Sequence, residues 1–149
     1  MALQQAIAEW GDDLARLLAA ETDPGAGPAE RFEATWSRVS DSFESTRRLW
    51  AVQFELLAHL ERTPELRTTF TESSRHARLG LADLFRDVTP AGDETIGAFY
   101  QVMLAGLAAV WLADPGSAPT GPELLHAVRT IAAGVDSVDQ DALRPRKPV

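Results

Sequence analysis

Cysteine is absent from the 149 residues, which removes disulfides, thiol nucleophiles and thiolate zinc sites in one step. Histidine occurs three times, as His59, His76 and His126, and never in a His-Glu-x-x-His pattern. No Gly-x-Ser-x-Gly elbow and no glycine-rich phosphate loop is present. Positive charge is short: 14 basic residues face 22 acidic ones, for a net charge of -8. Thirteen of the basic residues are arginine, a skew that reads as coding bias rather than chemistry. The one basic cluster, RPRK at 144–147, sits in a proline-rich tail. An acidic body repels phosphate backbones at long range, so this chain by itself is a poor nucleic-acid binder. The first residues, MALQQAIAEW, lack a basic n-region, and Glu9 and Asp12 interrupt them early. They do not read as a signal peptide, and a cytoplasmic location is expected. No stretch alternates with period two, so no sheet is expected.

What is present is helical spacing. With 45% hydrophobic and 24% charged residues, the chain fits one globular domain over 1–143 with a flexible tail at 144–149. A chain of this size buries roughly 70% of its unfolded surface without needing a metal. Leu3, Ile7, Trp10, Leu14 and Leu17 step by 4, 3, 4 and 3, predicting a first helix over 2–21 that TDPGAGP ends. Phe32, Trp36, Val39 and Phe43 predict a second over 29–44, with a turn at Ser45-Thr46-Arg47-Arg48. A third, 47–62, is apolar on two sides. Thr63-Pro64-Glu65 then reads as an N-cap and restart for a fourth over 64–88. Asp93 is placed to cap a fifth over 94–113. Thr120 and Glu123 form a capping-box pattern ahead of a sixth over 121–135.

The fifth helix carries no charge from Thr95 through Ala113, about the length of a bilayer core. Glu94 and Asp114 bracket it, no basic cluster flanks it, and Tyr100, Gln101 and many alanines dilute it. A membrane span is therefore not expected. A helix apolar all round must still be covered all round. Gly97, Ala105, Gly106 and Ala109 would admit another backbone at close range. Pairing of the last two helices with their copies across a two-fold axis, as a dimeric four-helix bundle, meets that need. The interface residues expected are Phe99, Gly106, Val110, Leu124, Leu125, Val128, Ile131 and Ala132.

Residues for chemistry are few. Glu55 with His59 and Glu72 with His76 share helix faces but lack the further inward carboxylates of a di-iron bundle, so they read as surface pairs and no metal or cofactor is expected. Trp10, Trp36, Trp50, Trp111, Tyr100 and six phenylalanines are more informative. Singly each fills a core; together they resemble the walls of an apolar pocket. Thr35, Ser40, Gln53 and Ser73 interrupt or flank apolar stripes, and a buried polar group needs a partner in protein, water or ligand. Serine and threonine often find theirs in their own helix.

The order of parts resembles the C-terminal ligand-binding and dimerisation domain of the tetracycline-repressor (TetR) family of transcriptional regulators. The resemblance rests on RRLWAVQFELLAHLERTPELRTTF at 47–70 and MLAGLAAVWLADPGSAPTGPELLHAVRTI at 103–131. It implies an all-α, six-helix domain that forms a homodimer and binds a small apolar or aromatic effector. In that family the ligand sits among helices corresponding to the second, fourth and fifth here, and displaces the first. The implied ligand residues are Thr35, Trp36, Phe70, Ser73, Tyr100 and Met103, with Trp10 at the rim. Nothing resembles the family's helix-turn-helix, so DNA is an expected partner only if such a domain lies upstream in the full gene product. The alternatives are a helical dimerisation module that binds nothing, or an enzyme without a familiar motif.

Overall fold

The computed structural model describes residues 16, 23–86, 89 and 92–143. Four α-helices account for nearly all of the regular structure among them: α1 (Pro28–His59), α2 (Pro64–Leu84), α3 (Glu94–Ala113) and α4 (Gly121–Leu143). Short 3-10 turns, Leu60–Arg62 and Pro115–Ser117, precede α2 and α4. No strand occurs among the described residues. Apart from Arg16, which is helical, the helix expected over 2–21, with Trp10, and the tail at 144–149 lie outside the described residues.

The six-helix expectation is corrected at Ser45-Thr46, where the second and third helices are one continuous α1. The hydroxyls of Ser45 and Thr46 both donate to the Ser42 carbonyl, at 3.0 and 2.7 Å. Polar side chains that bond back to their own helix need no turn to satisfy them. Pro28 opens α1 in its first turn, where the missing N–H costs nothing. Phe32, Trp36, Val39, Phe43 and Trp50 then form its buried stripe. Each such side chain stabilises the fold by about 1.5–3 kcal/mol when fully buried.

Two further boundaries move. Thr63 is the N-cap residue of α2, but its side chain makes no capping bond; its carbonyl instead accepts from Leu66 and Arg67. The helix ends at Leu84 rather than 88, and Phe85 stands at its C-cap with φ -97° and ψ 20°. At the other end of the chain, α4 runs to Leu143 instead of stopping at 135.

Both remaining caps match the sequence reading. Asp93 accepts from the amides of Thr95 (2.9 Å) and Ile96 (3.3 Å). Glu123 accepts from the Thr120 amide at 2.8 Å while the Thr120 hydroxyl accepts from the Glu123 amide at 3.4 Å. Those bonds favour the charged carboxylate and hold Glu123 below its usual carboxylate range, the backbone bond first and the Thr120 hydroxyl second.

Packing centres on α1, which touches both α3 and α4, while α2 lies against α3. The α2–α3 crossing is close because of Gly97: a Cβ there would collide with the Arg78 carbonyl oxygen and come within 2.6 Å of its carbon. One turn on, the Gln101 side-chain Oε1 accepts from Arg78 Nε at 2.9 Å, and its Nε2 donates to Ser74 Oγ at 3.0 Å. Gly121 does the same for α4 against α1, where a Cβ would come within 2.6 Å of the Glu33 carbonyl oxygen. The resulting core joins the α1 stripe to Leu81, Phe85, Tyr100, Leu104, Leu107 and Ala108.

Candidate functional site

Two aromatic groups line α1. Toward its C-terminal half, Phe43 meets Trp50 edge-on at 6.1 Å and Trp111 at 5.6 Å, and the Arg47 guanidinium lies 4.6 Å from the Trp111 ring centre. Toward its N-terminal half, Phe32, Trp36, Phe85 and Tyr100 converge from α1, the end of α2 and α3. Phe85 stacks on Tyr100 with centroids 4.0 Å apart and planes 15° apart, and on Trp36 at 5.7 Å and 18°. Trp36 and Tyr100 are themselves 6.5 Å apart. Such pairs add about 0.5–1.5 kcal/mol each beyond area burial.

Polar atoms in and beside this second group are poorly satisfied. Trp36 is 1% exposed, and its indole Nε1 has no hydrogen-bond partner among the described residues. Among the described residues the Tyr100 hydroxyl reaches only Thr89 Oγ1, at 3.4 Å. Elsewhere on α1, Ser40 Oγ and the Gln53 side-chain oxygen are also buried without partners among the described residues. Ser42, by contrast, donates to the Val39 carbonyl at 2.7 Å. Native interiors contain few unpaired polar atoms, so each such group marks a place where something can bind. Beside Phe85, a cleft of about 190 Å³ opens between Leu79, Ala82, Asp83, Arg86, Gly92 and Asp93.

The ligand residues expected from sequence divide. Thr35, Trp36 and Tyr100 are buried, and Met103 packs against the same core. Thr35 accepts from Arg38 at 3.4 Å. Phe70 and Ser73 do not join them. Phe70 is half-buried on the outer part of α2, outside the core cluster, and Ser73 is exposed. The reason is that α2 buries only Leu81 and Ala82 along its length, so its first four turns form a rim. Trp10 lies outside the described residues. Phe85 was not picked out in the sequence because Leu81, Leu84 and Val88 carry the even stripe there; the step of four from Leu81 to Phe85 was the available signal.

The expected interface residues divide too. Phe99, Gly106 and Val110 are exposed on α3, joined by Val102 at 71% exposure. Ile131 and Ala132 are exposed on α4, joined by Val135 and Val138. Leu124, Leu125 and Val128 are half-buried against the chain's own core. Glu55, His59, Glu72 and His76 are all exposed.

A family model described as the tetracyclin repressor-like, C-terminal domain matches residues 26–134. No curated protein and no solved structure matches the chain.

Proposed function

Because the chain belongs to the tetracyclin repressor-like C-terminal domain family, we propose that it is the effector-sensing and dimerising part of a transcriptional regulator. Domains of this family typically dimerise and bind small-molecule effectors. The observation that carries the sensing role is the aromatic group of Trp36, Phe85 and Tyr100, whose indole N–H has no partner among the described residues. An apolar or aromatic effector fits walls of that kind, and Thr35 and Met103 flank them. A thermal-shift screen of the full chain against lipophilic and aromatic compounds tests it. A ligand at 100 times its dissociation constant adds about 2.7 kcal/mol, which for a domain of this size raises Tm by roughly 5–10 °C. Tyr100→Ala should weaken a ligand found this way by about tenfold or more. Silence across a broad library would leave a dimerisation module whose rings are only core.

Dimerisation is supported by the apolar surface that the chain does not cover itself. Phe99, Val102, Gly106, Ala109 and Val110 run down the outer side of α3, which has no charged residue from Thr95 on. By length and composition α3 could also cross a bilayer, but a third of it is buried, in a helix that packs against α1 and α2. On α4 the stripe Leu124, Val128, Ile131, Val135 and Val138 continues past the body: its first two residues are half-buried and its last three are 58–68% exposed. A second copy is an occupant of matching apolar character for such faces, and a stable interface needs about 800 Å² per partner. Sedimentation should show a dimer at micromolar concentration. Val110→Arg and Ile131→Arg should each convert it to monomer, since a charge has no partner in a dry seam.

A further inference from the structure

Phe85 occupies an unusual position. Its ring is 3% exposed and stacked on both Trp36 and Tyr100, yet its backbone is no longer helical. It is the first residue past the last turn of α2, its carbonyl accepting from Thr89 at 2.9 Å. Residues at element ends open at lower free energy than residues inside a helix. A cleft lined by Ala82, Arg86 and Gly92 opens to solvent at the next residue along the chain, with Phe85 itself not in its lining. If the Phe85 ring swings away, it uncovers a face of Tyr100, with the Trp36 ring 6.5 Å off and tilted by only 33°. The Phe85 ring lies within 18° of parallel to both, so a guest taking its place inherits stacking contacts that favour a flat molecule.

The indole N–H supplies a second requirement. Trp36 Nε1 is already desolvated and unpaired among the described residues. A guest carrying a hydrogen-bond acceptor gains that bond without paying a new desolvation cost on the protein side. A pure hydrocarbon leaves the atom as it stands.

We propose that Phe85 is a displaceable internal occupant of an aromatic slot, and that the slot takes a planar aromatic molecule bearing a hydrogen-bond acceptor for the Trp36 indole N–H. As the location of the effector site, this rests on the sensing role proposed above. The closed, Phe85-filled form then lowers the apparent affinity by the fraction of molecules that are open.

The test uses quinoline and naphthalene as matched probes, of equal shape but with and without an acceptor nitrogen, on the full chain. Phe85→Leu, which keeps apolar volume while removing the ring, should bind quinoline at least tenfold more tightly than wild type. Phe85→Ala should do so as well if it folds; Phe85→Leu decides if it does not. In the Phe85→Leu background, Trp36→Phe should lower the ratio of quinoline to naphthalene affinity severalfold, because only quinoline loses a bond. Quinoline affinity unchanged or weaker in folded Phe85→Leu overturns the occupant, and an unchanged ratio overturns the acceptor. A compound from the thermal-shift screen that binds wild type, Phe85→Leu and Trp36→Phe alike refutes this slot and leaves the sensing role intact. A silent screen with strong quinoline binding by Phe85→Leu supports the slot and removes the sensing role.

Discussion

Gly97→Ala should destabilise the protein, against the usual effect of that exchange in a helix. At an unstrained helical site, alanine in place of glycine is worth about 1 kcal/mol in favour of the folded state. Position 97 differs because α2 passes over it. The added methyl would collide with the Arg78 carbonyl oxygen, 2.6 Å from its carbon and 3.1 Å from its Cα. All three are backbone atoms of a helix, so no rotamer change relieves the overlap. Either α3 backs away from α2 or α2 deforms, and both loosen Gln101 from Arg78 and Ser74 one turn further on. Overpacking of this kind costs about 1–3 kcal/mol and sometimes more. The upper part of that range applies, which exceeds the propensity gain and leaves a net loss of about 1–2 kcal/mol. For a chain of this length that lowers Tm by roughly 2–8 °C. Gly80→Ala is the internal control: it lies on exposed α2 with nothing within 4 Å of its Cβ position, and should raise Tm by roughly 2–4 °C. Differential scanning calorimetry of both variants measures the contrast. If Gly97→Ala melts as high as Gly80→Ala, the helices do not cross as closely as described.

Other expectations follow from the same contacts. Gln101→Leu strips Arg78 and Ser74 of their shared partner and should cost about 1–3 kcal/mol in chemical denaturation, with Ser74→Ala largely neutral in that background because its bond is already gone. Glu123 has its carboxyl held below the ordinary value of 4.5, so its capping contribution is complete above that pH. The contribution fades as pH falls through the lower, folded-state value. Glu123→Gln should therefore narrow its stability gap to wild type on acidification below 4.5, and a gap that stays constant to lower pH would refute the charged cap.

The sequence disclosed some of this arrangement and hid the rest for identifiable reasons. Caps were legible because they are local: Asp93 and the Thr120–Glu123 pair need only three residues of context. Thr63 shows the limit, since a threonine before Pro-Glu can cap with its side chain or leave the work to its carbonyl. The continuity of α1 was hidden because a Ser-Thr pair reads as a turn unless its hydroxyls are seen bonding to Ser42. Gly97 was legible as a site of close approach, but the backbone that arrives belongs to α2 of the same chain. Gln101 reads in sequence only as a polar break in an apolar helix and is a half-buried hub, because its partners sit 23 and 27 residues earlier. Of the expected ligand residues, Trp36 and Tyr100 meet, whereas Phe70 and Ser73 depended on how much of α2 the body covers. Tertiary coverage of that kind leaves no mark in periodicity.

The last turns of α4 have a consequence for how the molecule responds to its own abundance. From Arg129 through Gln140 every residue is exposed, and the run includes Gly134, which disfavours helix. A helical segment of a dozen residues is marginal in water when nothing packs on it. Its persistence is thus set by what packs on it rather than by the chain alone, and under the dimer proposed above that neighbour is another copy at some cellular concentration. Amide hydrogens in this stretch should exchange freely in dilute protein and become protected as concentration rises, while those of α1 stay protected throughout. A chain made at low level would then differ from one made at high level in how much of it is folded, not only in how many copies are paired.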